Sequence, residues 1–74
     1  MASRHLPRRP PAGFVSITPA RWADLCAELE VNHFLREIRR GGALIAWRAA
    51  KVWYVEPDAY REVMGAWPPG YWPS

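Results

Sequence analysis

VNHFLREIRRGG, residues Val31 to Gly42, is the stretch on which the reading of the chain turns. Val31, Phe34, Leu35 and Ile38 recur at i, i+3, i+4 and i+7, the spacing of one helix face. On that geometry His33, Arg36 and Arg40 fall on the opposite face. Asn32 can cap the N-terminus and Gly41-Gly42 can stop the C-terminus. Arg36, Arg39 and Arg40 crowd the last turn, where the helix dipole favours cations. The pattern predicts an amphipathic helix that buries one face and offers Arg and His on the other. Such a helix suits recognition in a groove, and it suits an ordinary solvated surface equally well.

Upstream, Thr18-Pro19 reads as an N-cap followed by proline at the first helical position. Trp22, Leu25, Cys26 and Leu29 repeat the same spacing, which predicts a helix over residues 19–29. Arg21, Asp24 and Glu28 fall on its outer face. Glu30 to Asn32 then forms the turn between two helices, the outline of a helix-turn-helix. Phe14 to Ile17 is short, apolar and β-branched, either a brief strand or a staple leading into the first helix.

Downstream, Ala43–Arg48 (ALIAWR) and Lys51–Glu56 (KVWYVE) are apolar runs rich in aromatic and β-branched residues, and they predict a two-stranded hairpin. Its turn has neither Gly nor Asn, so it is longer than it looks or strained. Trp53 and Val55 share one face, Val52 and Tyr54 the other. Helices can cover one side and leave an aromatic surface on the other. Pro57-Asp58 starts a third helix, whose stripe is Tyr60, Val63, Met64 and Trp67. Pro68-Pro69-Gly70 ends it. The expected core is Trp22, Leu25, Leu29, Phe34, Ile38, Val63 and Met64, joined by Trp47 and Trp53.

This divides the chain into a disordered basic arm (1–13), one folded domain (14–67) and an aromatic, proline-containing tail (68–74) that reads as loose. A chain of 74 residues has a marginal core, and five Trp, three Tyr and two Phe supply aromatic packing. The single cysteine excludes an intramolecular disulfide; Cys26 lies on an apolar stripe and reads as a buried thiol. That composition fits a reducing bacterial cytoplasm. No apolar run approaches the length of about 18 residues that spans a bilayer, so no membrane association is expected. The N-terminus lacks the apolar core of a signal peptide. The net charge is +3, and residues 14–74 hold as many acids as bases, so the surplus sits in Arg4, Arg8 and Arg9 of the arm. That arm reads as a contact for nucleic acid, a contact for an acidic protein surface, or a solvated tail.

The order helix, turn, helix, hairpin, helix describes a small α+β winged helix-turn-helix. Ile17-Thr18 with Trp22 four residues on, the Ile38-Arg39-Arg40-Gly41 helix end, the Val52-Trp53-Tyr54-Val55 return strand and the Pro57-Asp58-Ala59-Tyr60 helix start carry a likeness. On these residues the chain resembles the excisionase-like winged-helix family of phages and mobile elements, over residues 17–64. The resemblance implies a second helix in the DNA major groove and a wing at the minor groove or backbone. It places Asn32, His33, Arg36, Arg39 and Arg40 as helix contacts and Arg48 and Lys51 beside the wing tip. Arginine reads guanine edges, asparagine reads adenine, and the remaining groups hold phosphates.

Nothing in the chain suggests an enzyme, a cofactor or a metal site. His5 and His33 lie in separate segments, one cysteine cannot complete a zinc set, and no glycine-rich phosphate loop is present. Ser3 and Ser16 have no His–Asp arrangement near them in sequence. The leading expectation is a small phage or mobile-element regulator that binds double-stranded DNA as a monomer, cooperatively on short direct repeats. The alternative is a phage-encoded regulator that docks on host RNA polymerase and inhibits initiation or promotes antitermination. Aromatic and arginine side chains would anchor it there.

Overall fold

A computed structural model describes residues 9–73. Its elements are β1 (Val15–Ile17), α1 (Pro19–Leu29), β2 (Glu37–Arg40), β3 (Ala43–Ala49), β4 (Val52–Val55) and α2 (Pro57–Met64). The strands form one antiparallel sheet in the order β1-β4-β3-β2. This is a small α+β fold with two helices among the described residues, where the sequence pattern predicts three.

α1 spans the residues its spacing predicts. The Thr18 hydroxyl oxygen accepts the Arg21 N–H at 3.1 Å, and Pro19 opens the first turn. The C-terminus closes as a Schellman motif. The Val31 N–H donates to the Cys26 carbonyl at 3.0 Å and the Glu30 N–H to the Ala27 carbonyl at 3.2 Å. Glu30 takes the left-handed conformation (φ 59°) that this motif demands, without being glycine.

The helix expected over residues 31–40 is replaced by a turn and a strand. Asn32 Oδ1 accepts the Phe34 N–H at 2.7 Å, an Asx turn that offers the backbone an alternative to helix. The Trp22 indole N–H donates to the His33 carbonyl at 2.8 Å, and so occupies the oxygen that would accept the next helical turn's N–H. Glu37–Arg40 then pairs with β3. Without β2, one edge of β3, a strand with three consecutive buried residues, would leave its backbone groups unpaired. A ten-residue helix of middling propensity is marginal by itself and cannot compete with that pairing. Gly41 and Gly42, at φ 60° and 83°, close the Arg40–Ala43 pair as a two-residue hairpin turn rather than stopping a helix. Of the four residues on the expected apolar face, Ile38 is buried and Val31 packs at the core margin. Leu35 is exposed, and Phe34, expected in the core, is 69% exposed.

The core lies between the helices and one sheet face. Register sets Ile38, Ala46, Val55 and Val15 in one row across the sheet, and Trp22, Leu25, Cys26 and Tyr60 meet it from the helices. Between Ile38 and Arg39 the register shifts and skips Ile45, a β-bulge whose extra residue lies on β3. The bulge lets Ile45 and Ala46, neighbours in sequence, both join the core. The β3–β4 turn is a tight two-residue turn, Ala50-Lys51, closed by the Ala49–Val52 pair. Its strain is real, since Ala50 sits at φ 54°.

β1 settles the open reading of residues 14–17, because it pairs with β4 as a strand. α2 begins as its sequence predicts, with the Glu56 carboxylate accepting the Ala59 N–H at 2.7 Å. It ends at Met64 with Gly65 as cap, three residues earlier than the Trp67 stripe suggests. Trp67 instead stacks on Tyr71 at 5.3 Å, and the Arg61 guanidinium sits 4.8 Å from its ring centroid. Pro68 is fully buried and Tyr71 half-buried, so the beginning of the tail folds back; Trp72 is exposed.

Two positive-φ residues and one indole give direct tests. Glu30→Gly and Ala50→Gly should each raise stability in urea unfolding by about 1 kcal/mol, the strain relieved less the added unfolded-state entropy. Trp22→Phe keeps an aromatic body but removes the hydrogen bond to His33, and should lower stability by about 1–2 kcal/mol. In hydrogen exchange, protection over residues 33–40 should fall in Trp22→Phe before protection within α1.

Candidate functional site

The residues that the resemblance places on one recognition helix occupy four different places, Arg36 among them at one end of the sheet. Asn32 and His33 belong to the turn after α1. Their polar groups are partly used locally, Asn32 Oδ1 by Phe34 and the His33 carbonyl by Trp22, while the His33 ring lies 4.3 Å from that of Phe34. Arg39 lies on the outer sheet face, where its Nε donates to Glu37 Oε1 at 3.3 Å. Alternate residues of a strand share a face, which is why these two meet. Arg40 stands at the opposite end of β2, beside the Gly41-Gly42 turn. The assignment of these five side chains to a groove-facing helix is therefore overturned.

What the fold does bring together is Arg36, Arg48 and Lys51. The Arg48 N–H donates to the Arg36 carbonyl at 2.8 Å, so the two arginines face each other one step beyond the Glu37–Trp47 pair. The β3–β4 turn, with Lys51 at its tip and Val52 beside it, closes the same end of the sheet. The loop carrying Phe34 and Leu35 arrives there immediately before Arg36. This end thus combines three cations with three exposed apolar side chains, Phe34 (69%), Leu35 (41%) and Val52 (42%). Among the described residues, no acid lies within ion-pair distance of Arg36, Arg48 or Lys51.

The neutrality of the folded part conceals a separation of charge. Residues 36–51 carry Arg36, Arg39, Arg40, Arg48 and Lys51 against Glu37 alone. The two helices and their caps carry Asp24, Glu28, Glu30, Glu56, Asp58 and Glu62 against Arg21 and Arg61. The sheet hairpins are basic and the helix layer acidic. The segmental charges stand in the linear sequence, but that they fall on opposite layers shows only once the layers are known.

The outer face of the sheet is not an open aromatic platform. Trp47 and Tyr54 lie there as a tilted pair 5.6 Å apart, but Trp47 is buried and Tyr54 half-buried. Arg4 and Arg8 of the basic arm lie outside the described residues; Arg9 is exposed. Among the described residues, no three His, Cys, Asp or Glu side chains converge as a metal set, and no helix is long and apolar enough to cross a membrane. The chain matches no protein-family model, no curated protein and no solved structure in the comparisons made.

Cys26 is a buried thiol, as its place on the α1 stripe predicts. Burial pushes its pKa above the ordinary 9.0. Burial likewise raises Tyr60 above 10.0, with Arg21 lowering and Asp24 raising it. Both groups are raised in the folded state, so their contribution is complete below the ordinary values and is lost as pH climbs through the folded ones. Stability should therefore decline above about pH 9, and Cys26→Ala should remove the earlier part of that decline. A thiol reagent at neutral pH should label Cys26 slowly in the native protein and at once in denaturant.

Proposed function

We propose that the protein is a small non-enzymatic regulator that binds double-stranded DNA through its β-hairpins, of the kind phages and mobile elements encode. The observation that carries the reading is the gathering of Arg36, Arg48 and Lys51, without acid partners among the described residues, at one end of a sheet whose hairpins are basic. In the resemblance to the excisionase-like family the β3–β4 hairpin corresponds to the wing, and that is the part of the likeness this reading keeps. The major-groove part is set aside, because the segment expected to supply it is a turn and an edge strand. Contacts then fall on phosphates and groove shape, with little base-edge reading. The basic arm, where it bears Arg9, adds to the same electrostatic attraction.

Binding of a mixed-sequence duplex should weaken steeply as salt rises. Arg36→Ala, Arg48→Ala and Lys51→Ala should each weaken it several-fold and lower the magnitude of the logarithmic salt slope by about one. Arg39→Ala, which removes a cation already paired with Glu37, should change both less. Absence of duplex binding by the wild type at low salt would sink the proposal.

A second reading is favoured by one observation, the exposure of Phe34, Leu35 and Val52 beside the same cations. Apolar side chains ringed by arginines form the anchor type of a protein interface, and phosphate binding has no need of them. On this reading the same end docks on host RNA polymerase from the bacterial cytoplasm. Phe34→Ala with Leu35→Ala would then abolish retention of the purified polymerase while leaving duplex affinity almost unchanged.

A further inference from the structure

β2 is an edge of the sheet, paired with β3 on one side only. The bond from the Arg48 N–H to the Arg36 carbonyl fixes which backbone groups are used. By strand alternation the N–H and C=O of Arg36 and Ile38 point toward β3, and those of Glu37 and Arg39 point outward. The bulge does not disturb this, since its extra residue lies on β3. Among the described residues, no backbone or side-chain group from another element bonds the outward groups of Glu37 and Arg39. Both side chains are exposed and lie on the outer face, where they already pair within the chain.

We propose that β2 is a self-complementary edge on which a second copy of this chain docks, antiparallel and centred on Ile38. In that register Glu37 stands opposite Arg39 of the second copy, and Arg39 opposite its Glu37. The outward backbone groups of both residues meet as reciprocal hydrogen-bonded pairs, and the sheet continues across the two-fold axis. Two neighbouring registers satisfy the backbone equally, centred on Glu37 or on Arg39. They place like charges directly opposite each other, which antiparallel pairs disfavour. Charge thus selects the Ile38-centred register. A closed two-fold contact uses up the edge on each copy and stops there, unlike an open-ended pairing. The same register sets Arg36 opposite Arg40 of the second copy, so like charges at the two ends of the seam keep the association weak. The inference is independent of the DNA reading and is tested without DNA.

The test is sedimentation equilibrium over a concentration series reaching the millimolar range. The wild type should rise from the 8.5 kDa monomer toward twice that mass. Glu37→Arg and Arg39→Glu should each weaken dimerisation by at least about tenfold, because both cross-copy pairs become repulsive. An equimolar mixture of those two variants should form a heterodimer, since every opposed pair is again of opposite sign. The doubly swapped chain, Glu37→Arg with Arg39→Glu, should dimerise as the wild type does and provides a control should either single variant fail to fold. The proposal is overturned by a wild type that stays monomeric at millimolar concentration, by single variants that dimerise unchanged, or by a mixture that does not associate.

Discussion

The hydrogen bond from the Trp22 indole to the His33 carbonyl is the constraint on which the arrangement of the second half of the molecule depends. It joins the first turn of α1 to the loop that follows the helix. Trp22 is itself held by the Thr18 cap and by burial against the sheet, so the carbonyl it captures has a fixed position. With His33 pinned and the Schellman motif turning the chain out of α1, residues 33–36 turn and bend to the end of the sheet from which β2 starts. A polar group on a large buried side chain is well suited to this. Leaving the indole N–H unpaired would cost about 1–3 kcal/mol, so conformations that satisfy it are strongly preferred.

Once β2 is a strand, the surface of the protein is redrawn. Side chains that a helix would array on one face are distributed by the strand to opposite sides of the sheet and to its two ends. Arg39 becomes half of an ion pair, Arg40 moves to the far turn, and Arg36 comes to stand against Arg48. The β3–β4 turn adds Lys51 from a distant part of the sequence. A compact basic end therefore arises from residues that are separate in the sequence and meet only through strand pairing.

The same rearrangement explains two features that look unfavourable in isolation. Phe34 and Leu35 are exposed because Asn32 turns the chain just ahead of them and β2 begins just after, leaving them at the bend. Ala50 accepts a positive φ because the pairs on either side of the turn hold the strands in register. In each case a local cost of about 1 kcal/mol or more is over-determined by the sheet around it.

The sequence by itself determined the elements whose signals are local. The extent of α1 was legible in Thr18-Pro19 and the Trp22-Leu25-Cys26-Leu29 stripe, and the start of α2 in Pro57-Asp58. The hairpin was legible in two apolar runs and the buried state of Cys26 in its place on the stripe; the lack of glycine left the turn either longer or strained, and the positive φ of Ala50 decides for strain. Short-range capping, proline geometry and periodicity suffice there, because each element satisfies its own backbone or has its partner next to it. Residues 31–40 were different. Their spacing fits a helix, but only the tertiary structure contains the two competitors that win: the indole of Trp22, eleven residues away, and the unpaired edge of β3. The grouping of Arg36 with Arg48 and Lys51 was equally out of reach, since it exists only after the strands have paired.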